Sequence, residues 1–169
     1  MTEDGEALAA AWERAYGAVA GRLAAGQTAA FLTIGDPGVY STYAYLRKRA
    51  QAAGFPEETV CGVPSFIASA GALGISLCEG NEALHVLSGR EDAARALALP
   101  GTKVILKGGR RLPELRRQLA ELEAAGRAEV FAVSDCGMPQ ERLYRGAEAL
   151  PEDGRYMLTV IVKEKRPPA

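Results

Sequence analysis

The run TAAFLTIGDPGVYST over residues 28–42 constrains the fold more than any other stretch of the chain. Residues 29–34 carry apolar and β-branched side chains over strand length, and Gly35, Asp36, Pro37 and Gly38 then form a turn that stops the strand. A helix restarts at Ser41 or Thr42. An extended segment that ends in a Gly/Pro turn and feeds a helix is the building unit of open α/β sheets, which take ligands at the carboxyl ends of their strands. Gly35 and Gly38 admit close backbone approach, Asp36 is a compact acceptor, and the first turn of the next helix offers N–H groups. An ordinary β-turn before a helix accounts for the same residues.

The pattern around this run extends the reading. Leu8, Trp12, Ala15, Val19 and Leu23 recur at helical spacing and predict a helix over residues 4–25, stopped by Gly26. The helix after the turn is expected to reach Ala53 and close at Gly54, with Arg47, Lys48 and Arg49 on a solvated face. Residues 59–63 predict a second short strand, and Ser65 opens a small-residue helix that Gly74 ends. Two strand-turn-helix units in succession favour a parallel sheet.

The pattern loosens over residues 75–80, where a domain boundary is placed. It divides the chain into 1–79, with the GDP loop, and 80–169, a second α/β domain. In the second part, residues 83–87, 102–106 and 130–133 read as strands, and residues 91–97 and 113–125 as helices. The last of these buries Leu115, Leu119 and Leu122, with Pro113 in its first turn. Alternation over residues 142–145 and 156–162 predicts late antiparallel strands, and the charged, Pro-rich tail from Lys163 is expected to fray.

Composition narrows the partners. The chain has 169 residues with 20 basic and 21 acidic side chains, a net charge of −1 that gives no footprint for nucleic acid or an anionic membrane. No apolar run approaches the ~18 residues that would span a bilayer. Cys61, Cys78 and Cys136 are odd in number and lack CxxC spacing, which fits reduced thiols in the cytoplasm. His85 stands alone among apolar neighbours, so no metal site is expected. No nucleophile–base pair is evident, and no catalytic residue is assigned.

Several segments together are specific to one family. Residues 31–46, FLTIGDPGVYSTYAYL, resemble the GDPxxYSTYxYL signature of the precorrin-2 C20-methyltransferases, members of the tetrapyrrole (corrin/porphyrin) methylases. CGVPSF at 61–66, ALGISLCEG at 72–80, KVILKGGRRLP at 103–113 and GMPQER at 137–142 are similar to further family segments in the same order. GDP alone marks the wider superfamily; YSTYxYL with KxGRxLP is more specific to the C20 enzymes.

The resemblance implies two α/β domains that hold S-adenosylmethionine (SAM) in a cleft, usually in a cytoplasmic homodimer. It implies methyl transfer to C20 of precorrin-2 or cobalt-factor II in cobalamin biosynthesis, with S-adenosylhomocysteine as product. By position, Gly35, Asp36, Pro37 and Tyr40 would line the SAM pocket from the first domain, with Ser65 and Phe66 at the second turn. Lys107 would contact SAM from the second domain, and Val133 and Ser134 would close the adenine side. Arg110 and Arg111 are candidates for the substrate's carboxylates, because guanidinium pairs bidentately with carboxylate, although surface arginines capping a loop read the same way.

The family pattern begins upstream of the match, with a first strand and a glycine-rich loop, and Met1 lines up with an internal point. Cys61, Pro64 and Ser76 also depart from the family's usual residues. The first domain is therefore expected to be N-terminally truncated, with an open sheet edge and exposed apolar surface. Two other readings are a tetrapyrrole methylase acting at C11 or C17, and a catalytically impaired SAM-binding or dimerisation fragment.

Overall fold

The structure is a computed structural model that describes residues 5–89, 92–107, 111–154 and 156–165. Backbone contacts divide the chain into two compact units, which meet in sequence after Pro64. The division falls earlier than the loosened pattern near residue 80, because the helix that follows Pro64 packs on the sheet of the second unit.

The first unit holds two helices. Helix α1, Gly5–Ala24, ends where Gly26 takes a φ of 74°. Helix α2, Tyr43–Ala52, starts after Thr42 and stops before Gly54, at a φ of 77°. The left-handed turns at both glycines are conformations other residues resist. The helices meet through Trp12 stacked on Tyr45, ring centroids 5.0 Å apart, and through the Arg49–Glu13 ion pair at 2.6 Å. Arg47 and Arg49 of the basic cluster are thus both held by carboxylates.

Residues 29–34 and 59–63 form no strand ladder, which corrects the expectation of two strands there. A strand needs a neighbour to take its N–H and C=O groups, and neither segment has a hydrogen-bonded strand partner among the described residues. Their apolar side chains face outward: Leu32 is 89% and Val60 79% exposed. Correspondingly, none of the buried core side chains comes from the described residues of this unit.

The second unit opens with helix α3, Ser65–Leu73, bounded as its sequence predicts. It continues with β1 (Leu84–Ser88), α4 (Ala93–Leu97), β2 (Thr102–Leu106), α5 (Leu112–Ala124), β3 (Ala128–Ser134), β4 (Arg142–Arg145) and β5 (Leu158–Glu164). The five strands form one sheet in the order β1-β2-β5-β3-β4. Strands β1 and β2 are parallel, joined by the crossover through α4, and the other neighbours are antiparallel.

Alternation along β3 and β5 sends side chains to both faces of this sheet. Val130, Ala132, Val160 and Val162 join Leu112, Leu115 and Leu119 of α5 in one buried cluster, with Leu122 packed partly buried at its margin. Helix α3 packs against the same two strands, burying Phe66, Ser69, Ala70 and Leu73. The C-terminal part of α3 is tied down by Arg145, which donates to the Leu73 carbonyl at 2.6 Å, and Lys163 reaches the Ser76 carbonyl at 2.7 Å.

Candidate functional site

In the first unit the GDPG loop is built around Asp36. Its Oδ1 accepts the Gly38 N–H at 2.7 Å, and its Oδ2 accepts the Gly62 N–H at 2.9 Å. One carboxylate therefore fixes its own turn and ties it to the end of the second extended segment. The approach depends on glycine: a Cβ on Gly62 would overlap the Gly35 carbonyl oxygen. Gly35 itself has a φ of 85°, and the Val39 N–H closes a turn on the Asp36 carbonyl at 3.2 Å. Tyr40 sits at a φ of 48°, rare for a residue with a side chain, and its ring is half exposed.

The start of α2 is more fully occupied than its sequence predicts. The Tyr43 N–H goes to Ser41 Oγ at 3.2 Å, and those of Ala44 and Tyr45 go to the Ser41 and Thr42 carbonyls. The expectation of unpaired first-turn N–H groups gives way to these bonds to the Ser41 hydroxyl and the carbonyls of Ser41 and Thr42. What the loop presents is the backbone of Gly35 to Gly38 and the exposed Tyr40 ring.

A residue that sequence reasoning missed stands behind this loop. Glu57 takes the Tyr43 hydroxyl at 2.8 Å and the Thr59 hydroxyl at 3.2 Å on Oε2. Its Oε1 takes Arg47 Nε at 2.7 Å and Gln51 Nε2 at 3.1 Å. The Tyr43 hydrogen bond, then Arg47, hold the Glu57 carboxyl below its ordinary range, and the same bond pushes the Tyr43 phenol up. Tyr43 also lays its ring against Phe31, centroids 5.5 Å apart.

The other candidates lie in the second unit. Ser65 is the exposed first residue of α3, whereas Phe66 is buried beneath it. Lys107 follows β2 directly, with its side chain exposed and a φ of 59°. Val133 and Ser134 end β3 with both side chains fully buried, and Ser134 Oγ lies 3.4 Å from the Tyr144 hydroxyl. Arg111 precedes α5 and borders a small recess lined by Leu87, Ser88 and Ile105 at the ends of β1 and β2. Arg110 lies outside the described residues.

The chemistry of the remaining groups is quiet. Cys61 and Cys78 are exposed and free, and burial pushes the half-buried Cys136 thiol up, away from nucleophilic thiolate. His85 turns its Nε2 to the Pro100 carbonyl at 2.9 Å. No helix among the described residues is long and apolar enough to cross a membrane.

Comparison with known proteins places the chain in a family. Residues 1–150 match the family described as Tetrapyrrole (Corrin/Porphyrin) Methylases. This chain belongs to the tetrapyrrole (corrin/porphyrin) methylase family. The precorrin-2 C(20)-methyltransferase of a Sinorhizobium species is 36% identical over 149 residues, covering 86% of this chain and 59% of that protein. A probable cobalt-precorrin-2 C(20)-methyltransferase of Methanocaldococcus jannaschii is 38% identical over 107 residues, covering 63% of this chain and 45% of that protein. Among solved structures, the uroporphyrin-III C-methyltransferase of Thermus thermophilus complexed with S-adenosylhomocysteine superposes with a TM-score of 0.58 at 25% identity. That match covers 76% of this chain and 62% of the other.

The chain thus spans between about two fifths and three fifths of the length of the first two relatives. The tetrapyrrole methylase match includes the loop at residues 35–38, helix α3, and strands β1 to β4 of the sheet. The mixed α/β architecture expected from the sequence is the one observed.

Proposed function

We propose that this chain serves SAM-dependent methyl transfer to C20 of precorrin-2, or of its cobalt chelate cobalt-factor II, in cobalamin biosynthesis. The observation that carries the reading is the similarity to two proteins named as C20-methyltransferases, together with the YSTYAYL and KGGRRLP segments quoted above. The reading places the enzyme in the cytoplasm as a homodimer, as the family resemblance implies.

Close approach of the two loop ends supports the assignment of this loop to SAM. Gly62 leaves no side chain between the two loop ends, and Asp36 spends both carboxylate oxygens on holding them. In this reading Asp36 keeps the loop in shape, while Gly35, Pro37 and Tyr40 present the contact surface. Ser65, Phe66 and Lys107 are the corresponding residues of the second unit. Val133 and Ser134, whose side chains are buried, contribute through their backbone. Arg110 and Arg111 are assigned to the carboxylates of the tetrapyrrole.

When bound, SAM supplies a sulfonium methyl that is already strongly electrophilic. The macrocycle carbon is electron-rich, so the chain's residues have to align the two reactants and keep water out. The carbon that gains the methyl gives up its proton afterwards to solvent, with no side chain assigned to take it.

The test is calorimetric titration of the full chain with S-adenosylhomocysteine. Saturable one-site binding is expected. Absence of binding at millimolar ligand would remove SAM, and with it the proposed activity.

A further inference from the structure

In the same unit as the GDPG loop, the Glu57 carboxylate gathers four donors. Tyr43, Arg47 and Gln51 lie at i, i+4 and i+8 on α2 and form one polar stripe along that helix. All three donate to Glu57, and Thr59 adds a fourth donor from the segment itself. The Glu57 side chain is 18% exposed, and the four donors occupy both of its carboxylate oxygens.

Three residues beyond Thr59, the same segment delivers the Gly62 N–H to Asp36. The segment has no strand ladder to fix it, so its position on α2 is set by these side-chain bonds. Tyr43 links the two extended segments, with its ring on Phe31 and its hydroxyl on Glu57.

We propose that Glu57 is a positioning residue for the SAM loop: by clamping residues 57–59 to the polar stripe of α2, it sets Gly62 against Asp36 and so fixes the shape of residues 35–38. The inference rests on the reading of that loop as the SAM contact. In this proposal Glu57 acts through the loop and not on a reacting atom. Its effect belongs in the affinity for SAM and in the KM for SAM, while kcat stays close to that of the parent protein.

The experiment combines amide hydrogen exchange with S-adenosylhomocysteine calorimetry on the full chain and on Glu57→Ala and Glu57→Gln. In Glu57→Ala the Gly62 amide is expected to exchange roughly tenfold faster, the scale of one or two net hydrogen bonds, with affinity lowered by a similar factor. Amides of β3 and β5 should keep their protection, which separates loss of position from loss of fold. Glu57→Gln keeps an acceptor for the two hydroxyls but loses the charge that Arg47 faces, so it should recover part of both effects. Unchanged Gly62 exchange in Glu57→Ala would overturn the proposal, whether or not the parent binds ligand. Unchanged affinity alongside faster Gly62 exchange would overturn it too, by showing that the clamp does not reach the binding loop. A parent that binds no S-adenosylhomocysteine would instead defeat the reading of the loop, and Gly62 exchange would still decide the clamp.

Discussion

Gly62 donates its backbone N–H to the Asp36 carboxylate at 2.9 Å across 26 residues of chain. The bond joins the turn of the GDPG segment to the end of the next extended segment, where no sheet ladder does so. It also changes what Asp36 is for. A carboxylate in a loop of this kind looks like a ligand group, and here each oxygen also accepts a backbone N–H.

The first prediction concerns the glycine. Gly62→Ala places a methyl onto the Gly35 carbonyl oxygen, and backbone cannot yield as a flexible side-chain tip would. Forced overlap of this kind costs about 1–3 kcal/mol. S-adenosylhomocysteine affinity should fall at least as far as in Asp36→Ala, measured by calorimetry on samples whose circular dichroism matches the parent.

Asp36→Ala removes the acceptor for two N–H groups, and Tyr40→Ala removes the exposed ring beside the loop. Both should weaken ligand binding. Arg116→Ala is the contrasting case, because Arg116 donates to the Ala147 and Glu148 carbonyls inside the second unit. It should lower the stability of that unit by about 1–2 kcal/mol, as charged hydrogen bonds at a partly exposed site do, and leave affinity unchanged. Equal ligand affinity in Asp36→Ala and the parent would refute the role given to the bridge.

Acid should loosen the same region. The Tyr43 hydroxyl and then Arg47 hold the Glu57 carboxyl below the ordinary 4.5. A depressed carboxyl contributes its stability above the unfolded value and loses it as pH falls through the folded one. The contribution of Glu57 is therefore present above the unfolded value of 4.5 and is lost progressively as pH falls below it. Protection of the Gly62 amide, followed by exchange from pH 6 downward on a rate scale corrected for acid, should drop as pH falls through that range. In Glu57→Gln the part of the drop due to Glu57 should be absent.

Hydrogen exchange also tests the absence of strands in the first unit. Amides of residues 29–34 and 59–63, with Gly62 set aside, should exchange quickly, since no ladder holds them. Amides of Val130, Ala132, Val160 and Ile161, in fully buried and doubly paired strands, should be the slowest in the chain. Slow exchange across 29–34 would mean that these residues are paired after all.

The helices were legible because their signals are local. Apolar spacing and a following glycine place the ends of α1, α2 and α3 within two residues of their observed positions, and Pro113 marks the first turn of α5. The late antiparallel strands were legible from alternation, since each has its partners within the same sheet. Residues 29–34 show where such reasoning stops. Their composition dictates an extended backbone, but a strand is a relation to a second segment, and composition says nothing of whether that segment is there.

The candidate site divides in the same way. Glycine content and Asp36 pointed to the loop, whereas the partner that defines Asp36 sits 26 residues away. Glu57 left a readable trace, a stripe of Tyr43, Arg47 and Gln51 facing an acidic residue just past the Gly54 turn. The basic cluster at Arg47, Lys48 and Arg49 drew attention to the charge on this helix and hid the stripe. Val133 and Ser134 were legible as a strand end, but their complete burial follows from the sheet being covered on both faces.

The central claim is methyl transfer at C20, and the most direct measurement is to supply the full chain with SAM carrying a carbon-13 methyl and with precorrin-2 or cobalt-factor II. Nuclear magnetic resonance of the product then locates the label. The account predicts one labelled methyl at C20. A label at C11 or C17, or no label on a tetrapyrrole that remains intact in the presence of bound SAM, would contradict it.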